Sequence, residues 1–585
     1  MAASNSPAEQ LITENLDIWT SAIKKRGSQG RGSSKKIEPY GIKKLRELIL
    51  ELAVRGLLVP QNPNDEPASV LLEKIAAEKE QLIKNKKIKK PKKLDAIKDI
   101  EKFGKLPLGW EFVRLNDLGE WGAGATPRRG SSELYGGDIP WFKSGELVGD
   151  YISTSEETVT EEALKKASLR YNKAGDVLLA MYGATIGKTS ILEVPATTNQ
   201  AVCACTPFTG FSNIYLLTLL KAFRPKFISM GAGGAQPNIS REKIIATVIA
   251  LPPQTEQPRI VAKVDELMAL CDQLEQQTET SLLAHQTLVE TLLNTLLNAD
   301  QNSFDPAWER IAQHFDVLFT TEHSIDQLKQ TILQLAVMGK LVPQDQNDEP
   351  ASVLLEKIAA EKEQLIKNKV IKKQKPLPPI GDDEKPFELP KGWEWVRPDE
   401  FSIKITDGEH FKPPTTEKGV FFLSAKDIRS EGVSLESPLY ISEKTAEKAL
   451  SRCDPKFGDL LIVSRGATVG RMCKVEISDV FCLLGSVILI KPTKLVLSDY
   501  ISIALKSPAS FEQLINASAS TAQPAIYLRD LKKMVLPIPP IKEQRRIVTK
   551  VGELLDLCDT LKTHISESQT IQLHIADVMA EQALV

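Results

Sequence analysis
The chain has 585 residues, 42% hydrophobic and 26% charged, with a formal net charge of −2. That length predicts three or four domains, the composition is that of a globular protein, and the near-neutral charge excludes a uniformly basic polyanion binder while leaving room for local basic patches. No apolar run approaches the ~18 residues of a membrane span, the acid-bearing start MAASNSPAEQLITENLDIW is unlike a signal peptide, and seven scattered cysteines read as reduced thiols of a cytoplasmic protein.

In chain order, Gly27 to Lys36, rich in Gly, Ser and Lys, reads as a flexible insertion. Gly41 to Arg55 carries Ile42, Leu45, Leu48, Ile49 and Leu52 at helical spacing and stops at Gly56. After a turn through Pro60 and Pro63, Pro67 opens a second helix, Ala68 to Asn85, with Leu71, Ile75 and Leu82 set against Glu and Lys. Between Lys84 and Lys93 seven of ten residues are lysine, either a solvated helix end or a contact to phosphate or to a partner. From Leu106 to Leu251, short β-rich runs such as Ile139-Pro-Trp-Phe142 and Asp176-Val-Leu-Leu-Ala-Met181 alternate with Gly, Pro and helical stretches such as Ile214 to Phe223, as in a mixed domain with its own core. Val264, Leu267, Cys271, Leu274, Thr278, Leu288 and Leu292 then form a heptad-like seam. If Glu256 to Ala299 is one helix it spans about 66 Å.

The whole order then begins again. Asp65 to Lys86, DEPASVLLEKIAAEKEQLIKNK, recurs unchanged as Asp348 to Lys369, an offset of 283 residues. The same offset pairs Leu106-Pro-Leu-Gly109-Trp110-Glu111 with Leu389-Pro-Lys-Gly392-Trp393-Glu394, and Gly183-Ala-Thr-Ile-Gly187 with Gly466-Ala-Thr-Val-Gly470. At 287 residues, Gln236-Pro-Asn-Ile239 pairs with Gln523-Pro-Ala-Ile526, and the stretch from Glu256 to Val264 with that from Glu543 to Val551. Such a period is too long for a solenoid and marks a duplicated domain, a pseudo-two-fold object suited to a ligand with two similar ends. The organisation is then a helical region at 1–105, a mixed domain at 106–254, a long helix at 255–300, a second helical region at 301–388, a second mixed domain at 389–541 and a second long helix at 542–585, whose seam runs through Ile547, Val551, Leu554, Cys558, Leu561 and Ile565. The echo of Asn15-Leu-Asp-Ile-Trp19 in His314-Phe-Asp-Val-Leu318 leaves the first head free to pack on the last helix and close a circle.

Catalytic signatures are missing. Gly183-Ala-Thr-Ile-Gly187-Lys188-Thr189 has three residues between its glycines where a phosphate-binding loop needs four, and its copy ends in Gly470-Arg471-Met472, so a tight turn between strands accounts for it better. There is no Asp/Asn-Pro-Pro-Tyr tetrad for amino-methylation, and Pro398-Asp399 has no acidic-x-Lys partner for a nuclease core. Cys203-Ala-Cys205 lacks further ligands. His285, His314, His323, His410, His564 and His574 have no ligand spacing, and all but His410 are placed on helices.

The ordered set Gly124-Ala-Thr126-Pro127, Tyr135-Gly-Gly-Asp138-Ile-Pro-Trp141, Gly183-Ala-Thr-Ile-Gly187, Gln236-Pro-Asn-Ile239 and Leu251-Pro-Pro-Gln-x-Glu256-Gln resembles the DNA-specificity subunit of type I restriction-modification systems. The second half supplies Asp407-Gly408-x-His410-x-x-Pro413, Arg465-Gly-Ala-Thr-Val-Gly470, Gln523-Pro-Ala-Ile526 and Ile538-Pro-Pro-Ile-x-Glu543-Gln-Arg in the same order, so the resemblance covers Gly41 to Val585. It implies an α+β fold: two mixed α/β target-recognition domains in pseudo-two-fold arrangement, separated by long antiparallel coiled-coil helices. It also implies a non-catalytic reader of double-stranded DNA with no cofactor of its own, docking two methyltransferase subunits that use S-adenosylmethionine and two ATP- and Mg²⁺-dependent restriction subunits. Gly124 to Leu169 and Gly408 to Leu450 share almost nothing while their flanks match, as expected of surfaces reading different half-sites. The expected DNA contacts are therefore Thr126, Arg128, Arg129, Lys143 and Ser144 in the first domain and His410, Lys412, Lys426 and Arg465 in the second. A coiled-coil scaffold binding only proteins, the rival reading, leaves that divergence without a reason.

Overall fold
The computed structural model describes residues 7–25, 37–90, 93–231, 237–373, 375–518 and 525–584. The insertion read at Gly27 to Lys36, with Gln236, Gln523 and Pro524 of the repeated motifs, lies outside the described residues. The chain forms two compact units, one of residues 1–282 with 568–585 and the other of residues 283–567.

In the first unit the helix Tyr40–Arg55 buries Ile42, Leu45, Leu48, Ile49 and Leu52 and ends at Gly56, whose φ of 71° is the left-handed cap read from the sequence. Gly41 is required by packing: a Cβ there would stand 2.3 Å from the Trp19 carbonyl oxygen. Trp19 and Ala576 are fully buried in the same core, with Leu573 and Met579 packed against it, and the Tyr40 hydroxyl donates to Asp577 Oδ1 at 2.8 Å. The head therefore does close on the last helix.

Each unit contains part of each long helix. Gln257–Asn298 and Ile541–Gln582 are unbroken helices of 42 residues, about 63 Å each. Val264, Leu267, Cys271 and Leu274 are buried, as the seam predicts, but Leu288 is 50% exposed and Leu292 only partly covered. Past residue 282 the helix enters the core of the second unit, where Val289, Leu293 and Leu296 pack with Ile311, Leu318 and Ile325. A new neighbour selects a new stripe, which a heptad count carried forward from Val264 misses. His314 likewise falls not on a helix but at the junction between Phe304–Gln313 and Phe315–Leu318.

The mixed domains share one scaffold. In the first, a five-stranded sheet runs Gly119–Ala123, Val202–Pro207, Val177–Ala180, Thr189–Leu192, Tyr151–Ile152; in the second, four strands run Ser402–Asp407, Val487–Pro492, Leu460–Val463, Met472–Lys474. The Gly183 and Gly466 motifs are the turns joining the antiparallel pairs, with Gly183 at φ 61° and Gly187 at φ 79°. A smaller sheet flanks each. Tyr135–Phe142 lies parallel to Thr197–Thr198 and antiparallel to Thr158–Val159, and Val420–Leu423 lies parallel to Phe481–Leu483 and antiparallel to Leu439–Ile441. The segments that diverge in sequence are thus the same in topology.

One buried carboxylate ties helical head, mixed domain and long helix together in each unit. Glu256, fully buried just before the long helix, accepts the Trp110 indole N–H at 3.0 Å and Gln61 Nε2 at 2.7 Å. Glu543 accepts Trp393 Nε1 at 3.0 Å and Gln344 Nε2 at 3.3 Å. Asp65 with Arg259 at 2.6 Å and Asp348 with Arg546 at 2.7 Å stand beside them. Burial pushes the Glu256 and Glu543 carboxyls above the usual carboxylate range, against the pull of those donors.

Candidate nucleic-acid interface
The first domain's candidates lie on the loop and flanking sheet that follow the strand Gly119–Ala123. Gly124 N–H donates to Val202 O at 3.0 Å and Ala125 N–H to Thr198 O at 3.0 Å, and a Cβ on Gly124 would stand 2.1 Å from the Thr198 carbonyl oxygen. Only glycine fits so close a pairing. The Trp141 indole N–H donates to Ala125 O at 3.1 Å, which fixes the loop onto the small sheet.

Beyond that anchor the Thr126 hydroxyl donates to Gln200 Oε1, and Arg128 is exposed with no side-chain partner among the described residues. Arg129 reaches Glu157 at 2.5 Å while its guanidinium stands 5.0 Å from the Trp141 ring centroid and 5.2 Å from that of Tyr135. Lys143 pairs with the other oxygen of Glu157 at 2.6 Å and with Glu156 at 3.3 Å. Lys143 and then Arg129 hold the Glu157 carboxyl below its ordinary range. Ser144 opens a short turn whose Glu146 accepts the Lys143 and Glu156 backbone N–H groups, both at 2.7 Å. The fold thus joins Arg129 and Lys143 through one acid and sets Arg129 beside two aromatic rings. Such an arginine fork is already oriented before any ligand arrives.

The second domain is arranged differently on the same scaffold. Arg452 donates to Asp407 Oδ1 at 2.6 Å and to His410 Nε2 at 2.7 Å, so that ring nitrogen is an acceptor. Lys412 is exposed with no partner among the described residues. Lys426 donates to the Ser437 carbonyl at 2.5 Å and lies 3.0 Å from Asp427 Oδ1. Arg465 and Arg529 share the Tyr527 ring at 6.0 and 5.2 Å. Glu157, Gln200 and Arg452 had no signal in the sequence, since each meets its partner across 28 to 74 residues. Tyr527 and Arg529 follow directly on the repeated motif ending at Ile526, and that adjacency could have found them.

No cluster of His, Cys, Asp and Glu among the described residues could hold a metal ion, and no described helix is long and apolar enough to cross a membrane. All seven cysteines are buried, with the Cys203 thiol pushed up to about 12 by burial.

The type I restriction modification DNA specificity domain matches residues 107–284 and again 390–568. The type I restriction enzyme EcoAI specificity subunit of Escherichia coli is 41% identical over 598 residues, covering 98% of this chain and 99% of that one. The EcoEI specificity subunit, also of Escherichia coli, is 40% identical over 615 residues with the same coverage. The crystal structure of the HsdS subunit from Thermoanaerobacter tengcongensis aligns at 19% identity and a TM-score of 0.40, covering 83% of this chain and 98% of that one.

Proposed function
Because the chain belongs to the family of type I restriction-modification DNA specificity subunits, we propose that it reads a split, asymmetric DNA target, one half-site through residues 106–254 and the other through residues 389–541. The long helices set the unread gap, and the helical regions position two methyltransferase and two ATP-driven restriction subunits. Chemistry belongs to those partners: S-adenosylmethionine to the first, ATP and Mg²⁺ to the second.

The observation that carries this reading is the duplicated small sheet. Its strands take the same order and directions in both units, yet the loops and element ends beside it carry an arginine–lysine–glutamate cluster in one and an arginine–histidine–aspartate cluster in the other. A protein-only scaffold has no use for one frame with two faces; a reader of two half-sites needs both. Thr126, Arg128, Arg129, Lys143 and Ser144 are the proposed contacts of the first face, with His410, Lys412, Lys426 and Arg465 those of the second. Arginine forks suit guanine edges, and lysines and hydroxyls suit phosphates.

Exchange of residues 106–251 for the equivalent domain of a related subunit, followed by genome-wide mapping of methylated sites, tests the division of labour. One half-site is expected to change and the other to survive. A change in both, or in neither, overturns it.

A further inference from the structure
An unbalanced positive arm follows the repeated helix in both units. Within Ala68–Lys84 and Ala351–Lys367 lysines have acids to hand, Lys74 with Glu66 at 2.6 Å and Lys357 with Glu349 at 2.6 Å. Past the last turn the acids stop. Residues 84–93 contain seven lysines and 367–376 contain five, and neither stretch has an Asp or Glu, in a chain whose net charge is −2.

The arms leave their helices by the same geometry. Lys86 at φ 54° and Lys369 at φ 58° occupy the left-handed region, a position glycine fills with less strain. Lys86 N–H bonds to Ile83 O at 3.0 Å and Lys87 N–H to Leu82 O at 2.9 Å, and the copy repeats both bonds with Lys369 and Val370. This 6→1, 5→2 pair closes the helix in both units. Lys84, Lys86, Lys87, Lys89, Lys90 and Lys93 are exposed and have no acidic partner among the described residues; Lys369, Lys372, Lys373 and Lys375 are the same. Among the described lysines of the arms, Lys367 is the one that pairs, with Glu363 at 3.2 Å.

We propose that the two arms are sequence-independent clamps on the DNA phosphate backbone, separate from the faces that read bases; the proposal rests on the reading that this chain binds DNA. Lysine is a point charge on a flexible stem and suits phosphate without selecting a base. An acidic protein surface fits less well, because tight protein contacts centre on aromatic or arginine anchors and the arms have neither. Their one apolar residue in the first unit, Ile88, packs back into that unit's own core.

The test uses the full chain with its methyltransferase partner, binding a cognate and a scrambled duplex across a salt series. The variant carries Lys84→Gln, Lys86→Gln, Lys87→Gln, Lys89→Gln and Lys90→Gln with Lys369→Gln, Lys372→Gln and Lys373→Gln. Affinity for both duplexes is expected to fall by the same factor. The slope of log K against log salt should flatten by about 0.9 for each lysine that touches a phosphate, with the methylated sequence unchanged. Arginine at the same eight positions should keep the slope. An unaltered slope overturns the proposal, as does an altered methylated sequence, or loss of the methyltransferase subunit from the purified complex, which would make the arms a protein contact. If the unmodified complex does not prefer its cognate duplex, the DNA-reading function falls first and this proposal with it.

Discussion

Changing Glu256→Ala should unfasten the first mixed domain from its long helix and leave the second untouched. The buried carboxylate is the acceptor for Trp110 Nε1 and Gln61 Nε2, and a buried donor left unpaired costs about 1–3 kcal/mol. Only the Trp110 N–H is left buried and unpaired, since Gln61 is exposed and keeps the Gly56 carbonyl at 3.2 Å, so the junction loses about 1–3 kcal/mol. In a chain of several domains no single unfolding free energy is defined, so the measurement is local: hydrogen exchange followed by mass spectrometry over peptides covering residues 56–61, 105–112 and 253–262. At about 1.4 kcal/mol per factor of ten, exchange there should quicken by roughly 5- to 140-fold. The peptides around Trp393 and Glu543 act as an internal control with the same chemistry in the same molecule. Unchanged exchange at the first junction, or equal quickening at both, would refute the reasoning. The pH dependence has a definite sign. Because burial raises the Glu256 carboxyl in the folded protein, the native state holds its proton to higher pH than the unfolded chain does. This group's contribution is fully present below the unfolded pKa and is lost as pH rises through the folded one, so closure of the junction should weaken with rising pH across that interval in the unmodified protein, and less so in Glu256→Gln.

Leu267→Ala, at a side chain 2% exposed, should cost the first unit about 2–5 kcal/mol and quicken hydrogen exchange along the helix around it, whereas Leu288→Ala on the same helix, at 50% exposure, should change local exchange little; equal changes would place the seam wrongly. Lys562 pairs across the helices with Asp326 at 2.6 Å, while the Arg46–Asp272 pair of the first unit keeps its sign in the second as Lys329–Asp559. Lys562→Glu should therefore destabilise the second unit by about 0.2–1 kcal/mol, and Asp326→Lys added to it should restore the loss in a double-mutant cycle. All seven cysteines being buried, an aromatic disulfide reagent should titrate no thiol in the native protein at pH 8 and seven in denaturant; rapid native reaction would contradict the packing. Four residues inserted near Thr280 and near Ser568, about 6 Å of helix each, should lengthen the unread gap by one or two base pairs at about 3.4 Å each and leave both half-sites intact, as mapping of methylated sites would show.

The sequence by itself determined the duplication, the order of elements in each half, the caps at Gly56 and Pro67, and the turn character of Gly183 to Gly187, because periodicity and backbone preference act over a few residues and are written locally. It also carried the family, since so many weak motifs in one order, twice, do not recur by chance. Only the tertiary structure decided which distant groups meet. That Glu256 receives Trp110 and Gln61, that Arg129 and Lys143 share Glu157, and that Asp577 holds Tyr40 are pairings across 14 to 537 residues, with no local trace. It likewise decided that the two divergent segments have one strand pairing, which backbone hydrogen bonds can maintain while nearly every side chain changes. The stripe of the first long helix that is buried after residue 282 was settled in the same way, by a neighbour the sequence of that helix does not name.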